Sequence, residues 1–289
     1  MPRALLRVRM PMALRHALST LSFVLLLTPG CRDKATTVKP DPTAANTQKT
    51  APSAAGGDEK PLDEDVVKAT VTTNKIELPR AGHDPVVLEL PVVKGLHDVK
   101  LEDKVNALIT PEKILGESID DVRAEVKTVV AGDPGYGIQG SGYQVTYADH
   151  GVLQIDAHSE SFGAYPSISQ LRALIDLRTG EAITGKSAFR AEKIPGLVAR
   201  LDAMLKAEAK ASDAMKDKDF ADLVRDAKFE TVDLDGMGVT DKGVTFHHDY
   251  AFPHVALALE PSGEYFVAWS DLAGDLDPKG PLARIHPVP

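Results

Sequence analysis

Residues 152–184 read VLQIDAHSESFGAYPSISQLRALIDLRTGEAIT, and this stretch decides the fold that the sequence predicts. Two segments within it, VLQIDAH and QLRALIDL, alternate apolar and polar residues with a period of two, which is typical of strands with one buried face. The residues predicted on the apolar faces are Leu153, Ile155, Ala157, Leu171, Ala173, Ile175 and Leu177. Gly163 and Pro166 favour a corner between the strands, because glycine permits a bend and proline fixes its own φ. Residues 178–181, RTGE, predict a turn after the second strand.

Length and composition indicate a globular protein. The chain has 289 residues, of which 43% are hydrophobic and 26% charged, enough for one large or two small folded units with a core. The formal charge of −9 becomes −13 if the four arginines within residues 1–30 are removed. An acidic protein gains nothing by releasing counterions from phosphates, so nucleic acid is not expected as a partner. Cys31 is the single cysteine, so no intramolecular disulfide can form.

Residues 1–30 have the plan of a signal peptide. Arginines precede the apolar run 18–27, which is about half the length that a membrane-spanning helix needs. The run ends at Gly30-Cys31, which resembles the lipobox of bacterial lipoproteins, in which the cysteine is lipidated and becomes the first mature residue. The alternative is ordinary export with Cys31 as an incidental thiol. Arg32 follows instead of the aspartate that resembles an inner-membrane retention signal, which favours the outer membrane, with the protein facing the periplasm.

Residues 31–66 are predicted to be a disordered linker behind the lipid anchor. They contain no aromatic residue and are dominated by Pro, Thr, Ala, Lys and Asp, so no core can form from them. A flexible chain of this length reaches roughly 30–35 Å, which makes the segment a tether.

An α+β fold is predicted after the tether, with a mainly antiparallel sheet and two or more packed helices. We divide it into an N-terminal module, 67–150, and a C-terminal module, 151–289. Besides the two strands within residues 152–184, the patterns predict strands at 70–77, 86–93, 143–148, 229–234, 244–248, 254–259 and 265–269. They predict helices at 101–109, 195–210 and 219–227, with further helix starts at Pro111 and Ser118. Residues 281–289 are predicted to be a surface tail.

Four motifs in the last two-thirds of the chain, taken in order, resemble an envelope domain of unknown function. They are SESFGAYP at 159–166, LIDLRTG at 174–180, VTDKGVTF at 239–246 and PHV at 253–255. The domain is found in the extracytoplasmic part of RsiV-type anti-sigma factors and beside the catalytic domain of PdaC-type peptidoglycan deacetylases. No sigma-binding segment and no metal-dependent catalytic domain is recognised, so the resemblance implies the recognition module alone.

The resemblance also implies what such a module does. In the sensor that it resembles, the module binds a lysozyme-type wall hydrolase, so an envelope protein or a peptidoglycan-related ligand is expected. No catalytic residue and no cofactor carries over, and we expect a non-enzymatic binding or sensing module. The candidate ligand-binding residues are Tyr165, His158 and Glu160. Tyr165 stands at the corner between the strands, and loops carry function more often than cores do.

The histidines near residue 250 suggest the main alternative, a metal-assisted hydrolase acting on envelope polymers. Zinc requires imidazole and carboxylate groups that converge. His247 and His248 point to opposite faces of a strand, so His248 and His254 form the alternative metal pair. The other reading of these residues is surface or hydrogen-bonded histidine. A structural lipoprotein without any ligand is the third hypothesis.

Overall fold

The computed structural model describes residues 69–130 and 135–286. The predicted signal peptide, the tether and Cys31 lie outside the described residues. Within the described ranges, no helix is long and apolar enough to cross a membrane.

A six-stranded sheet forms the centre of the fold, with its strands in chain order from β1 to β6. The strands are β1 Thr70–Leu78, β2 Val86–Lys94, β3 Gly137–Asp149, β4 Val152–Phe162, β5 Pro166–Asp176 and β6 Glu181–Ala182. Neighbouring strands are antiparallel except β2 and β3, which pair in parallel at Val87 with Gly140. The prediction of a mainly antiparallel α+β fold is therefore confirmed.

Strands β4 and β5 lie where the alternation in residues 152–184 predicts two strands, and both extend further toward the corner between them. Leu153 pairs with Ile175 and Ala157 with Leu171, so the predicted apolar face is continuous across β4 and β5. The opposite face is not wholly exposed. The side chain of Gln154 is buried there, and its Oε1 accepts the backbone N–H of Val239 at 2.7 Å. A second layer of structure therefore covers this end of the polar face.

Three helices cover the apolar face. They are α1 Val99–Asn106, α2 Pro111–Leu115 and α3 Ile119–Thr128. α3 begins at the predicted cap, because Ser118 Oγ accepts the backbone N–H of Asp121 at 3.1 Å. The helices bury Val105, Ile114 and Val122 in two apolar clusters against the sheet.

A second core lies on the other face and includes Val152 and Leu174 of the central hairpin. It is built from a three-stranded antiparallel sheet, four helices and short 3-10 turns. The strands are β7 Gly238–Thr240, β8 Gly243–His247 and β9 Glu264–Ala268, and the helices are α4 Gly185–Ala188, α5 Ile194–Ala211, α6 Ala221–Asp226 and α7 Trp269–Leu272. β3 and β4 pair across the module boundary predicted at residue 150, so the two predicted modules share one sheet.

Two predicted strands are 3-10 helices instead. Most of residues 229–234 belong to the 3-10 helix Thr231–Gly236. The Asp233 carboxylate fixes the start of this helix, because it accepts the N–H of Glu230 at 2.6 Å. Residues 254–259 form a 3-10 helix that begins after Pro253. In the first segment this side-chain hydrogen bond competes with strand pairing. In the second, the backbone turns directly after Pro253, where Ala256 donates its N–H to the carbonyl of Pro253 at 2.8 Å.

The predicted surface tail is wrong over its described part. Pro281 and Leu282 are buried in a 3-10 helix, and Leu282 belongs to the second core. The physical reason is an apolar contact with elements far away in the sequence, which a short segment without periodicity does not reveal.

Candidate functional site

The corner between β4 and β5 is a tight and internally bonded turn. Gly163 donates its N–H to the carbonyl of Tyr165 at 3.2 Å. The hydroxyls of Ser161 and Ser167 lie 2.7 Å apart, one on each strand, and form a hydrogen bond. These contacts close the end of the hairpin, although the segment is exposed.

Tyr165 stacks on His254, which lies in the connection between strands β8 and β9. The rings of Tyr165 and His254 have centroids 5.0 Å apart and are inclined by 18°. His254 Nε2 lies 2.6 Å from the carbonyl oxygen of Pro166. A carbonyl only accepts, so Nε2 carries the proton and donates it. The side chain of Tyr165 is thereby placed by a contact between residues 88 apart in sequence.

A second aromatic pair lies at the same end of the hairpin. Phe162 stacks on Tyr136, with centroids 5.8 Å apart, and Phe162 pairs with Pro166 across the strands. Ile168 follows on the same face of β5, two residues along. Tyr136, Tyr165 and Ile168 are 56%, 63% and 64% exposed. We call Tyr136, Phe162, Tyr165, Ile168 and His254 the tip surface.

His158 and Glu160 lie on one face of β4, beside the tip surface. Their cross-strand neighbours on that face are Gln170 and Ile168. The ring of His158 lies over Gly142 of β3, so closely that a Cβ on this glycine would stand 2.9 Å from the ring. His158 is half-buried and Glu160 is exposed. The candidate residues predicted from the sequence therefore share one end of the hairpin.

The two histidines of the alternative metal pair have separate partners. His248 Nδ1 lies 3.3 Å from Asp233 Oδ2, and its ring meets Tyr250 edge-on. His254 donates its Nε2–H to the carbonyl of Pro166. Among residues 69–130 and 135–286, no group of three or more His, Cys, Asp or Glu side chains is placed to hold a metal ion.

Several residues of the tip surface are not predicted from the sequence as ligand-binding residues. Tyr136 and Phe162 are brought together by the pairing of β3 with β4, and His254 reaches Tyr165 from a distant connection. A signal for Ile168 does exist, since it is an isolated large apolar residue between two serines in a strand.

No protein-family model and no curated protein sequence matches the chain. Among solved structures, the fold resembles a DUF3298 family protein from Pseudomonas aeruginosa, with 15% identity, a TM-score of 0.48, and coverage of 74% of this chain and 96% of that one. It also resembles a DUF3298 family member from Bacteroides fragilis, with 13% identity, a TM-score of 0.49, and coverage of 77% and 98%. Similarity at this level carries no information on ligands or site residues.

Proposed function

We propose that the protein is a non-enzymatic binding module of the bacterial cell envelope, held at the outer membrane by a lipid on Cys31. The observation that supports the binding role is the tip surface, where Tyr136, Tyr165 and Ile168 are each more than half exposed near one end of the β4–β5 hairpin. Exposed clusters of this kind mark interaction sites, and tyrosine is enriched among residues that dominate binding.

The chemistry of the tip surface favours a protein ligand over a small molecule. The surface offers two stacked aromatic pairs and an exposed isoleucine, with Glu160 and His158 as a polar border. An apolar centre with a polar rim is the usual anatomy of a protein interface. The charge of −13 that remains without the four arginines of residues 1–30 favours encounter with a basic partner, because complementary charge raises association rates. A basic wall hydrolase of the lysozyme type fits this description.

Replacing Tyr165 by alanine should weaken binding of a purified lysozyme-type hydrolase about tenfold, or roughly 1.4 kcal/mol. The loss follows because the variant removes the most exposed aromatic of the tip surface and the stacking partner of His254. Titration calorimetry measures the affinity. Phe266→Ala is the matched control, since Phe266 is 49% exposed but lies on β9.

The control variant should bind with unchanged affinity. Equal weakening in both variants, or no binding of the hydrolase to the unmodified protein, would argue against the tip surface as its site. Titration with soluble peptidoglycan fragments then tests whether the ligand is a wall polymer instead of a protein.

The lipid anchor has its own test. Cells that express the full chain should incorporate radiolabelled palmitate into it, and Cys31→Ala should abolish the label because the chain has no other cysteine. Label that persists in Cys31→Ala would remove the anchor from the proposal and leave the binding role untouched.

A further inference from the structure

Strand β5 has an open edge next to the tip surface. On one side it pairs with β4 along its whole length, from Pro166 to Asp176. On the other side its neighbour is β6, which has two residues and pairs only with Ile175 and Asp176. Within the described part of the chain, no strand pairs with the remaining edge of β5.

The backbone groups that face this edge follow from the hydrogen bonds at its end. Leu177 donates its N–H to Gly151, on the β4 side. The carbonyl of Leu174 instead accepts the N–H of Ile183, away from β4. The register between β4 and β5 is regular, so even-numbered residues of β5 direct their N–H and C=O outward.

Three residues on the open edge carry these outward groups: Ile168, Gln170 and Arg172. Among the described residues, none of their backbone N–H or C=O groups has a hydrogen-bond partner. An unpaired row of backbone N–H donors and C=O acceptors is complementary to the backbone of another extended segment.

Both ends of the row are already closed. At one end Ile183 occupies the carbonyl of Leu174, and at the other His254 Nε2 occupies the carbonyl of Pro166 at 2.6 Å. The span between these two carbonyls is about 26 Å for an extended strand. The opening therefore fits a short extended segment of several residues and excludes a long strand that runs past both ends.

The middle of the edge lacks the features that protect edge strands from pairing, since the proline and the charged residue, Pro166 and Arg172, stand at its ends. Proteins block such edges with lysine, proline or a bulge. Residues 167–171 read SISQL, without charge or proline, and their pairing with β4 has no bulge. Ile168 in this segment is 64% exposed.

A symmetric pair of two β5 strands does not fit the opening. Any antiparallel copy of β5 brings its own β6 and its own His254 contact on the same edge. In a symmetric pair centred on Gln170, the copy's Leu174 would stand opposite Pro166, where His254 binds, and its β6 would fall on Tyr165. Pairing of two β5 strands in this register is therefore excluded.

We propose that the open edge of β5 binds an extended segment of a partner protein as an additional strand, with an apolar side chain of the segment beside Ile168. This inference rests on the proposed protein-binding function and specifies how the partner protein is bound. Backbone hydrogen bonds provide affinity, and the neighbouring tip surface provides contacts for alternate side chains.

The test uses the full chain and an acetylated, amidated probe peptide, Lys-Thr-Val-Thr-Val-Thr-Lys. Gln170→Pro removes an outward N–H without removing a bond to β4, and proline is tolerated on edge strands. It should weaken probe binding at least tenfold. Gln170→Ala, which loses the side chain but keeps the N–H, should bind within threefold of the unmodified protein.

A second measurement does not depend on how the proline variant folds. Two probes are N-methylated, one at its valines and the other at its threonines, and only one of them should bind the unmodified chain, since alternate N–H groups face β5. Bound probe should also slow amide exchange at Ile168, Gln170 and Arg172.

The inference is overturned if the probe does not bind, if both methylated probes bind as well as the parent, or if Gln170→Pro binds normally. A lysozyme-type hydrolase that still binds in a Tyr165-dependent way would then preserve the proposed function and remove only the strand addition.

Discussion

Replacing Arg284 by alanine should lower the free energy of unfolding by about 3 kcal/mol, because it leaves the largely buried carboxylate of Asp176 without its cation. Arg284 Nη2 lies 2.7 Å from Asp176 Oδ1. The same guanidinium donates to the carbonyls of His150 and Gly151, at 3.1 and 3.4 Å, in the turn between β3 and β4. One side chain near the end of the chain thus connects the turn with the strand β5.

The measurement is equilibrium urea denaturation followed by the fluorescence of Trp269, the only tryptophan, which is buried in the second core. Arg123→Ala is the matched control, since Arg123 pairs with Asp120 on the exposed surface of α3. That variant should cost under about 0.5 kcal/mol. Equal losses in the two variants would mean that burial of the Arg284 pair contributes nothing.

Arg284 also illustrates what a single sequence conceals. The segment from Pro281 has no periodicity, so nothing local distinguishes a buried 3-10 turn from a surface tail. Its burial is determined by the carboxylate of Asp176, 108 positions away, and by contact with α4, which is also distant in the sequence. The contact of His254 with Tyr165 and Pro166 is hidden for the same reason.

The elements that were predicted correctly have signals within a few residues. β4 and β5 follow from a strict alternation of apolar side chains, and α3 follows from Ser118 with Asp121 three residues later. The segment around Thr231 also alternates, but the carboxylate of Asp233 caps the backbone locally and forms a 3-10 helix. Periodicity therefore predicts these long elements, whereas at Thr231 a side-chain cap decides the local structure.

The candidate site was predictable only in part. Tyr165 follows from its place at a glycine-proline corner, and His158 and Glu160 from their common face on β4. The stacked pair of Phe162 with Tyr136 depends on the register between β3 and β4, which a single strand pattern does not determine. The open edge of β5 depends on how short β6 is, and only the structure shows that.

Replacing Glu208 by alanine should lower the free energy of unfolding by about 2 kcal/mol, because several donors lose their common acceptor. Glu208, on α5, accepts the N–H and hydroxyl of Ser262 at 2.9 and 2.8 Å and the hydroxyl of Tyr265 at 2.8 Å. The hydroxyls of Tyr265 and Tyr250 are 3.0 Å apart, so the variant disturbs a linked network. Urea denaturation with Trp269 fluorescence measures the loss.

The same carboxylate makes stability depend on pH. Burial acts to raise the pKa of Glu208, but the hydrogen bonds from Ser262, Tyr265 and Gly263 outweigh it and lower the pKa below the ordinary 4.5. A group with a lowered folded pKa stabilises the fold above its ordinary pKa, and this contribution is lost as the pH falls through the lowered value.

The stability difference between the unmodified protein and Glu208→Gln should therefore be full at pH 7 and shrink as the pH falls below about 4.5. Glu192→Gln is the control, because Glu192 is an exposed carboxylate with no hydrogen bond among the described residues, and its difference should stay near zero at every pH. A difference for Glu208→Gln that is constant between pH 3 and pH 7 would show that the network depends on the shape of the side chain and not on its charge. The hydrogen bonds to the ionised oxygens would then contribute no more than those to a neutral amide.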